Sequence, residues 1–416
     1  MRAIILAGGY GTRLQPLTLR TPKCILPVGD STTILTIIDS LENIGISEVI
    51  ISLNKNQVKV KDFLDSKNLE LKISYVFEDT ACDSDKLGAI GALKFVVDKF
   101  GADDYFVLGA DNYTQGLDYN EMLSMHEENK ADATIALFEL SDITKVPSFG
   151  IGVIDDNDRI VSFQEKPKVE EAKSMLASTF IYVMSKNFLC KHLPEYVRKE
   201  LKACRKPDNM GDLWAHFARK LKIFGHVFSG YWGDVGSPLP YVEINHRALD
   251  AIKRRIHEGV KLRRDVKILG KVIIEKGVNI DENVTIIGPC IIGKNVKIKQ
   301  GSIIGPYTTL LRDVKIGKNN IIAGSILFEN SETNNKVKIT RAIIDGDCVI
   351  NEDNRIEEQA MIGYSCCIDS HSQILYNTKL WPFLTVDKNS ILNGKIYYEL
   401  ENMIHEPRIK KSCYWK

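Results

Sequence analysis

Between residues 260 and 374 aliphatic side chains return every six residues. One series runs Val260, Val266, Val272, Val278, Val284, Cys290 and Val296. A second, two positions on, runs Leu262, Ile268, Ile274, Ile280, Ile286, Ile292, Ile298, Ile304, Leu310, Ile316 and Ile322. A period of six matches neither the 3.6 of a helix nor the 2 of a free-standing strand. It marks a parallel β-helix, whose coils stack these side chains into one continuous core. Each short strand pairs with the coil above and below, so stability is nearly one-dimensional, and the end coils present unpaired edges that ask for a cap or a partner. Gly277, Gly288, Gly293, Gly305 and Gly317 suit the corners. The register slips across residues 327–338 and resumes with Ile344, Ile350, Ile356, Ile362, Ile368 and Ile374, which predicts a protruding loop over 328–335. The β-helix is expected over 258–380, followed by a tail, 381–416, with a basic, aromatic end (Arg408, Lys410, Lys411, Tyr414, Trp415, Lys416). That end is too short to track a nucleic-acid backbone and is read as packing on the β-helix or on a neighbouring subunit.

Residues 1–240 follow another pattern. Apolar, β-prone runs at 49–53, 105–109 and 133–140 alternate with helical faces such as Ile34, Leu35, Ile38, Leu41, Ile44 and Ala89, Leu93, Val96, Val97. Such alternation implies a mainly parallel sheet with helices on both sides, in the α/β class. A helical linker over 241–257 joins the two parts. Ligands of these sheets sit beyond the carboxyl ends of the strands. Two candidate sites fall there: residues 8–13, after the strand-like Met1–Ala7, and Asp111-Asn112.

Gly8-Gly9-Tyr10-Gly11-Thr12-Arg13, with Pro16, Thr18 and Pro22-Lys23, points to a triphosphate. Glycines let backbone N–H groups approach phosphate oxygens closely, and Arg13 and Lys23 add fixed positive charge. A dinucleotide fingerprint would need a third glycine where Leu14 stands, and a Walker loop would end in Gly-Lys-Ser/Thr, so neither fits. The chemistry indicated is phosphoryl or nucleotidyl transfer.

Bulk properties narrow the setting. The formal net charge of +1 shows no basic excess asking for nucleic acid or anionic lipid. The nine cysteines contain no Cys-x-x-Cys pair and read as reduced, small apolar residues of a cytoplasmic protein. Met1–Ala7 is too short for a secretory signal, and no apolar run is long enough to span a bilayer.

Leu6-Ala7-Gly8-Gly9-Tyr10-Gly11-Thr12-Arg13-Leu14-x-Pro16-Leu17-Thr18, with Pro22-Lys23 and Leu26-Pro27, resembles the nucleotide-binding opening of sugar-1-phosphate nucleotidylyltransferases. Asp111-Asn112, Phe149-Gly150, Glu165-Lys166-Pro167 and Tyr231-Trp232-x-Asp234-x-Gly236-x-Pro238 follow in the family's order. The resemblance covers nearly the whole chain, because many members carry a C-terminal hexapeptide-repeat β-helix. It implies a Rossmann-like nucleotidyltransferase domain followed by a left-handed parallel β-helix.

The reaction so implied joins an NTP and a hexose-1-phosphate into an NDP-sugar and releases pyrophosphate. The sugar phosphate is already a nucleophile, so catalysis reduces to aligning two polyanions and neutralising charge, work suited to Mg²⁺ held by one or two carboxylates. By resemblance those carboxylates are Asp111 and Asp234. Arg13 then binds the departing pyrophosphate, Lys23 the triphosphate and Lys166 the sugar phosphate; these three and the two aspartates form the catalytic set. Ala7, Gly8, Gly9, Gly11, Thr12, Arg13, Lys23 and Gly91 make the nucleotide site. Asn112, Gly150, Glu165, Lys166 and Ser178 make the sugar-phosphate site. Two departures stand out: Phe180 occupies a position where the family usually has glycine, and Cys24 a position where thymidylyltransferases often carry a base-reading glutamine. The pairs glucose-1-phosphate with dTTP or UTP, and mannose-1-phosphate with GTP, both stay open. So do a bifunctional enzyme whose β-helix also acetylates an amino sugar through His371, and a non-catalytic regulatory subunit of a pyrophosphorylase-like or translation-factor exchange complex. Homo-oligomerisation through the β-helix and tail is expected.

Overall fold

The computed structural model describes residues 1–80 and 86–396. Packing divides the chain into two compact units, one of Met1–Thr12 with Thr21–Gly236, the other of Arg13–Arg20 with the residues from Ser237 onward.

The first unit is built around a nine-stranded sheet with a separate two-stranded ribbon. Its strands are β1 (Arg2–Leu6), β2 (Glu48–Asn54), β3 (Lys72–Glu78), β4 (Tyr105–Gly109), β5 (Asn112–Gln115), β6 (Ala133–Glu139), β7 (Gly150–Ile154), β8 (Ile160–Glu165), β9 (Leu176–Met184), β10 (Ile223–Phe228) and β11 (Tyr231–Asp234). The sheet order is β8-β7-β9-β4-β1-β2-β3, with β6 joining β9 to β10; β5 and β11 form a separate ribbon. From β4 to β3 all neighbours are parallel. Beyond β4 the pairings turn antiparallel except that of β6 with β10, because β7 and β8 are a hairpin and β9 runs against β4, β6 and β7. A short turn can join only antiparallel strands, so the mainly parallel expectation holds for the half that carries the glycine loop.

Alternate strand residues feed two cores. Ala3, Ile5, Val49, Ile51, Phe106 and Leu108 pack with Ile34, Ile38 and Leu41 of α1 (Thr33–Asn43). Ile4, Ile50, Tyr105 and Val107 pack with Ile90, Leu93 and Val96 of α2 (Gly88–Phe100) and with Leu213, Trp214 and Phe217 of α3 (Met210–Phe217). The period-2 alternation therefore places helices on both faces. Thr32 caps α1 by accepting a hydrogen bond from the Leu35 N–H.

The second unit holds α4 (Pro238–Ala251) and the coils. Their strands stack in three parallel sheets of nine, eight and eight among the described residues, as in a left-handed β-helix. Early coils pair residues 18 apart, Ile273 with Ile291 and Ile291 with Thr309. Two later steps are 17, Thr309 to Ile326 and Ile326 to Ile343. The register slip is thus no protruding loop: one corner loses a residue in each of two successive coils, beside Gly324 and Arg341, and 328–335 stays in the coil, with Glu332–Thr333 a paired strand. The coil strands also continue past Leu380 to Lys395–Ile396. The basic aromatic end lies outside the described residues.

Valine and isoleucine columns fill the coil interior. Gly277 and Gly305 take positive φ, 76° and 100°, whereas a Cβ on Gly288 would stand 2.2 Å from the Lys271 carbonyl oxygen of the neighbouring coil. Most other corners use Asn or Asp in the left-handed region, among them Asn283, Asn295, Asp313 and Asn319. Arg13–Arg20 packs with this unit: Lys379 Nζ donates to the Arg13 and Gln15 carbonyls at 2.9 and 3.2 Å, and the Arg20 guanidinium lies 3.6 Å from the Tyr364 ring centroid. No helix among the described residues is long and apolar enough to cross a membrane.

Candidate active site

At the carboxyl ends of β1, β3 and β4 a cleft of about 410 Å³ opens within the first unit. Gly8 and Gly9 form part of its wall. Their carbonyls are pinned from below by Asn54 Nδ2 at 3.0 Å and Gln57 Nε2 at 2.9 Å. That anchoring fixes a loop which glycine alone would leave mobile.

Asp111 stands two residues past the end of β4. Its carbonyl accepts from the Val235 N–H at 2.9 Å, and Asn112 pairs with Asp234 across the β5–β11 ribbon. The two aspartates, 123 residues apart in the chain, are thus carried side by side by two adjoining strands. Asn112 is buried and held at both ends: its Nδ2 donates to the Gly109 carbonyl at 3.2 Å, and its Oδ1 accepts from Trp232 Nε1 at 2.9 Å. Lys23, opening a short turn, forms an ion pair with Asp111. Burial alone would lower the Lys23 pKa, but the charge and hydrogen bond of Asp111, with the charge of Asp234, more than offset it and raise the net value. The Lys23 ammonium is therefore within the field of both carboxylates.

The far wall carries Gly150, Glu165, Lys166 and Ser178. Lys166 Nζ lies 3.4 Å from Glu165 Oε1. Burial pushes the Glu165 carboxyl up, and Lys166 partly opposes this. Two glycines make room for Glu165. A Cβ on Gly150 would stand 3.0 Å from Glu165 Oε2, and one on Gly211, at the start of α3, would stand 1.9 Å from it. Lys166 and Phe180 both hold positive φ, 48° and 60°. Left-handed backbone costs a side-chain-bearing residue roughly 1–2 kcal/mol and collects at functional sites. Phe180 sits where β9 breaks register between Ser178 and Tyr182, a left-handed position that glycine would hold without strain. Its ring lines the cleft, packs on Tyr182 with centroids 5.5 Å apart, and leaves a Cβ on Gly109 only 2.9 Å from its Cδ1.

Of the residues singled out in the sequence, Gly8, Gly9, Lys23, Asp111, Asn112, Gly150, Glu165, Lys166, Ser178 and Asp234 line this one cleft. Ala7, Gly11, Thr12 and Gly91 do not line it; the Ala7 N–H donates to the Ser52 carbonyl and Gly91 lies inside α2. Arg13 belongs with the second unit. Cys24 is buried and does not line the cleft, its thiol pushed up to about 12 by burial. His371 Nδ1 is 3.7 Å from Asp353 Oδ2 on the coil surface. Several lining residues escaped sequence reading, Glu78, Phe163 and Gly211 among them. Of these only Glu78 carried a signal, a charged residue closing an apolar strand.

The donor chemistry admits a divalent cation. No group of three or more His, Cys, Asp or Glu among the described residues could hold a metal by itself. Two carboxylates lining one cleft are nonetheless a usual protein share for a hard cation, which takes its other oxygens from phosphates and water.

A family model described as nucleotidyl transferase matches residues 2–251, and one described as GMPPB C-terminal domain matches residues 286–397. The chain is 28% identical over 281 residues to mannose-1-phosphate guanylyltransferase 1 of Arabidopsis thaliana, covering 66% of this chain and 72% of that protein. It is 28% identical over 284 residues to a mannose-1-phosphate guanylyltransferase of Mycobacterium tuberculosis, covering 65% and 74%. A crystal structure from Bacillus anthracis, assigned as a glucose-1-phosphate thymidylyltransferase in complex with a sucrose, superposes with a TM-score of 0.53 at 27% identity, over 61% of this chain and 98% of that one. The chain belongs to the nucleotidyl transferase family, as its resemblance to sugar-1-phosphate nucleotidylyltransferases implied.

Proposed function

We propose that this protein condenses an NTP with a hexose-1-phosphate to give an NDP-sugar and pyrophosphate. One observation carries the reading: a Lys23–Asp111–Asp234 cluster and a Glu165–Lys166 pair face one cleft whose rim is the Gly8-Gly9 loop. A phosphate oxygen of the sugar phosphate attacks the α-phosphorus, a new P–O bond forms, and the bond to the β-phosphate bridging oxygen breaks. No enzyme nucleophile is needed, so the protein's task is alignment and charge neutralisation.

Lys166 grips the sugar phosphate, and Glu165, Asn112, Ser178 and the Gly150 backbone receive the sugar. Lys23 holds the triphosphate against Gly8 and Gly9. By the family resemblance Arg13 binds pyrophosphate, and Ala7, Gly11, Thr12 and Gly91 belong to the nucleotide site. Asp111 and Asp234 would hold Mg²⁺, which when bound offsets phosphate charge. The guanylyltransferase relatives and the thymidylyltransferase neighbour support two substrate pairs, mannose-1-phosphate with GTP and glucose-1-phosphate with dTTP or UTP. The setting we propose is cytoplasmic, with self-association through the β-helix.

The test is pyrophosphate release from a matrix of GTP, dTTP, UTP and ATP against glucose-, mannose-, galactose- and N-acetylglucosamine-1-phosphates. One productive pair supports the reading. Silence in every well refutes it.

A further inference from the structure

The β-helix holds a segment that continues the glycine loop. Residues 13–20 follow Thr12 without a break, yet they pack in the second unit. Leu14 and Leu17 are fully buried. Both ends of the segment are clipped to coil side chains. At its close the Arg20 guanidinium lies over Tyr364, 3.6 Å from the ring centroid, while the Tyr364 hydroxyl donates to Asp347. Gly346 leaves the room, since a Cβ there would stand 3.1 Å from a guanidinium nitrogen of Arg20. At its start Lys379 Nζ donates to the Arg13 carbonyl at 2.9 Å and to the Gln15 carbonyl at 3.2 Å.

The Lys379 clip fixes more than two oxygens. The segment's own regular structure is two short 3₁₀ turns, Thr12–Leu14 and Leu17–Leu19, so its carbonyls need outside partners. One ammonium bridging carbonyls two residues apart restrains the φ and ψ angles between them, and with them the root of the Arg13 side chain. Arginine binds phosphate through a planar fork whose direction matters. If its backbone wanders, the ordering of that fork opposes ligand binding. Lys379 is half-buried, and burial first, then the neighbouring Lys395 charge, lowers its pKa. Holding an ammonium there opposes its hydration, which a merely space-filling side chain would avoid.

We propose that Lys379 is a positioning residue for nucleotide use: by holding the backbone of residues 13–15 it sets the Arg13 guanidinium for the pyrophosphate end of the NTP. The β-helix then takes part in turnover and is not confined to assembly. Tyr364 secures the far end of the same segment through Arg20. The inference rests on the nucleotidyl-transfer reading and extends it to a residue 366 positions beyond Arg13.

The test pairs calorimetric binding of pyrophosphate, with Mg²⁺ present, with initial-rate kinetics in the full-length protein. Lys379→Met keeps most of the stem and removes the donors. It should raise the pyrophosphate Kd and the KM for NTP on the order of tenfold, and leave the KM for sugar phosphate within about twofold. Lys379→Arg restores two donors and should recover most of the loss. A merely structural role would move both KM values together. In an Arg13→Ala background Lys379→Met should weaken pyrophosphate binding little further, because the two residues act as one. Should Lys379→Met fail to fold, Tyr364→Leu frees the Arg20 end and should give the same selective loss at smaller size. Pyrophosphate binding unchanged in the single variants, or a full further loss in the Arg13→Ala background, would overturn the proposal. Weakened pyrophosphate binding in Lys379→Met, with no turnover of any NTP and sugar phosphate in wild type, sinks the reaction and keeps the positioning role. Wild-type turnover with indistinguishable variants does the reverse, and wild type that binds no pyrophosphate overturns both.

Discussion

Asp111→Ala should strand the Lys23 ammonium. Both side chains of the pair are 20% exposed. Breaking a fully buried pair by deleting one partner costs about 3–5 kcal/mol, and an exposed pair is worth about 0–1 kcal/mol. This pair lies between those limits, and Asp234 remains as a second counter-charge, so the expected loss is about 2–3 kcal/mol. Lys23→Met in the same chain removes the stranded charge and should recover about half of that loss. Since the Lys23 pKa is raised, the pair's contribution is fully present below the ordinary lysine value of 10.5 and is lost only as pH climbs through the higher folded value. The loss should therefore be flat between about pH 6 and 9. Urea unfolding read by Trp214 and Trp232 fluorescence follows the unit concerned, and pyrophosphate release should fall on the order of 10³-fold in the single variant. A single variant as stable as the double, and as active as wild type, would refute the pairing argument and the metal assignment together.

Other perturbations separate the remaining parts. Gly211→Ala places a methyl 1.9 Å from Glu165 Oε2 and should raise KM for the sugar phosphate with little change for the NTP; equal effects on both would contradict the division of the cleft. Lys166→Ala should show the same selectivity in initial-rate kinetics, with a loss on the order of tenfold or more. In the second unit, burial lifts Asp345 from 3.8 to about 6, and its Oδ2 has no hydrogen-bond partner among the described residues. An acid raised on folding binds its proton more tightly when folded, so its stability contribution is full below 3.8 and is lost as pH rises from there through about 6. Asp345→Asn should remove that dependence and stabilise the coils at neutral pH by up to about 3 kcal/mol, as read by denaturation at pH 5 and 8.

Much of this was legible in the chain because its causes are local. Six-residue spacing fixes which side chains turn inward, and the coil strands follow it from Leu262 to Ile374. Runs such as Tyr105–Gly109 became strands with those bounds. Asp111 and Asp234 could be paired only through motif order, yet the β5–β11 ribbon carries them together. What stayed hidden depends on distant packing. Two corners each lose one residue while the inward pattern survives, and a slip of register looks the same as an inserted loop. Arg13–Arg20 packs with coils more than 300 residues away. Glu78 reaches the cleft wall beside Gly8 only through the pairing of β1 with β2 and β2 with β3. Phe180 stands out in the sequence as a departure from the family's glycine, but its left-handed backbone shows only where β9 breaks register.

The two-carboxylate centre is most directly tested by Asp234→Asn, assayed beside wild type for NDP-sugar formation across a Mg²⁺ titration. The account predicts that wild type forms product in proportion to metal occupancy, and that the variant loses turnover on the order of 10²-fold or more while remaining folded. Wild-type turnover in the variant, with an unaltered Mg²⁺ dependence, would contradict it.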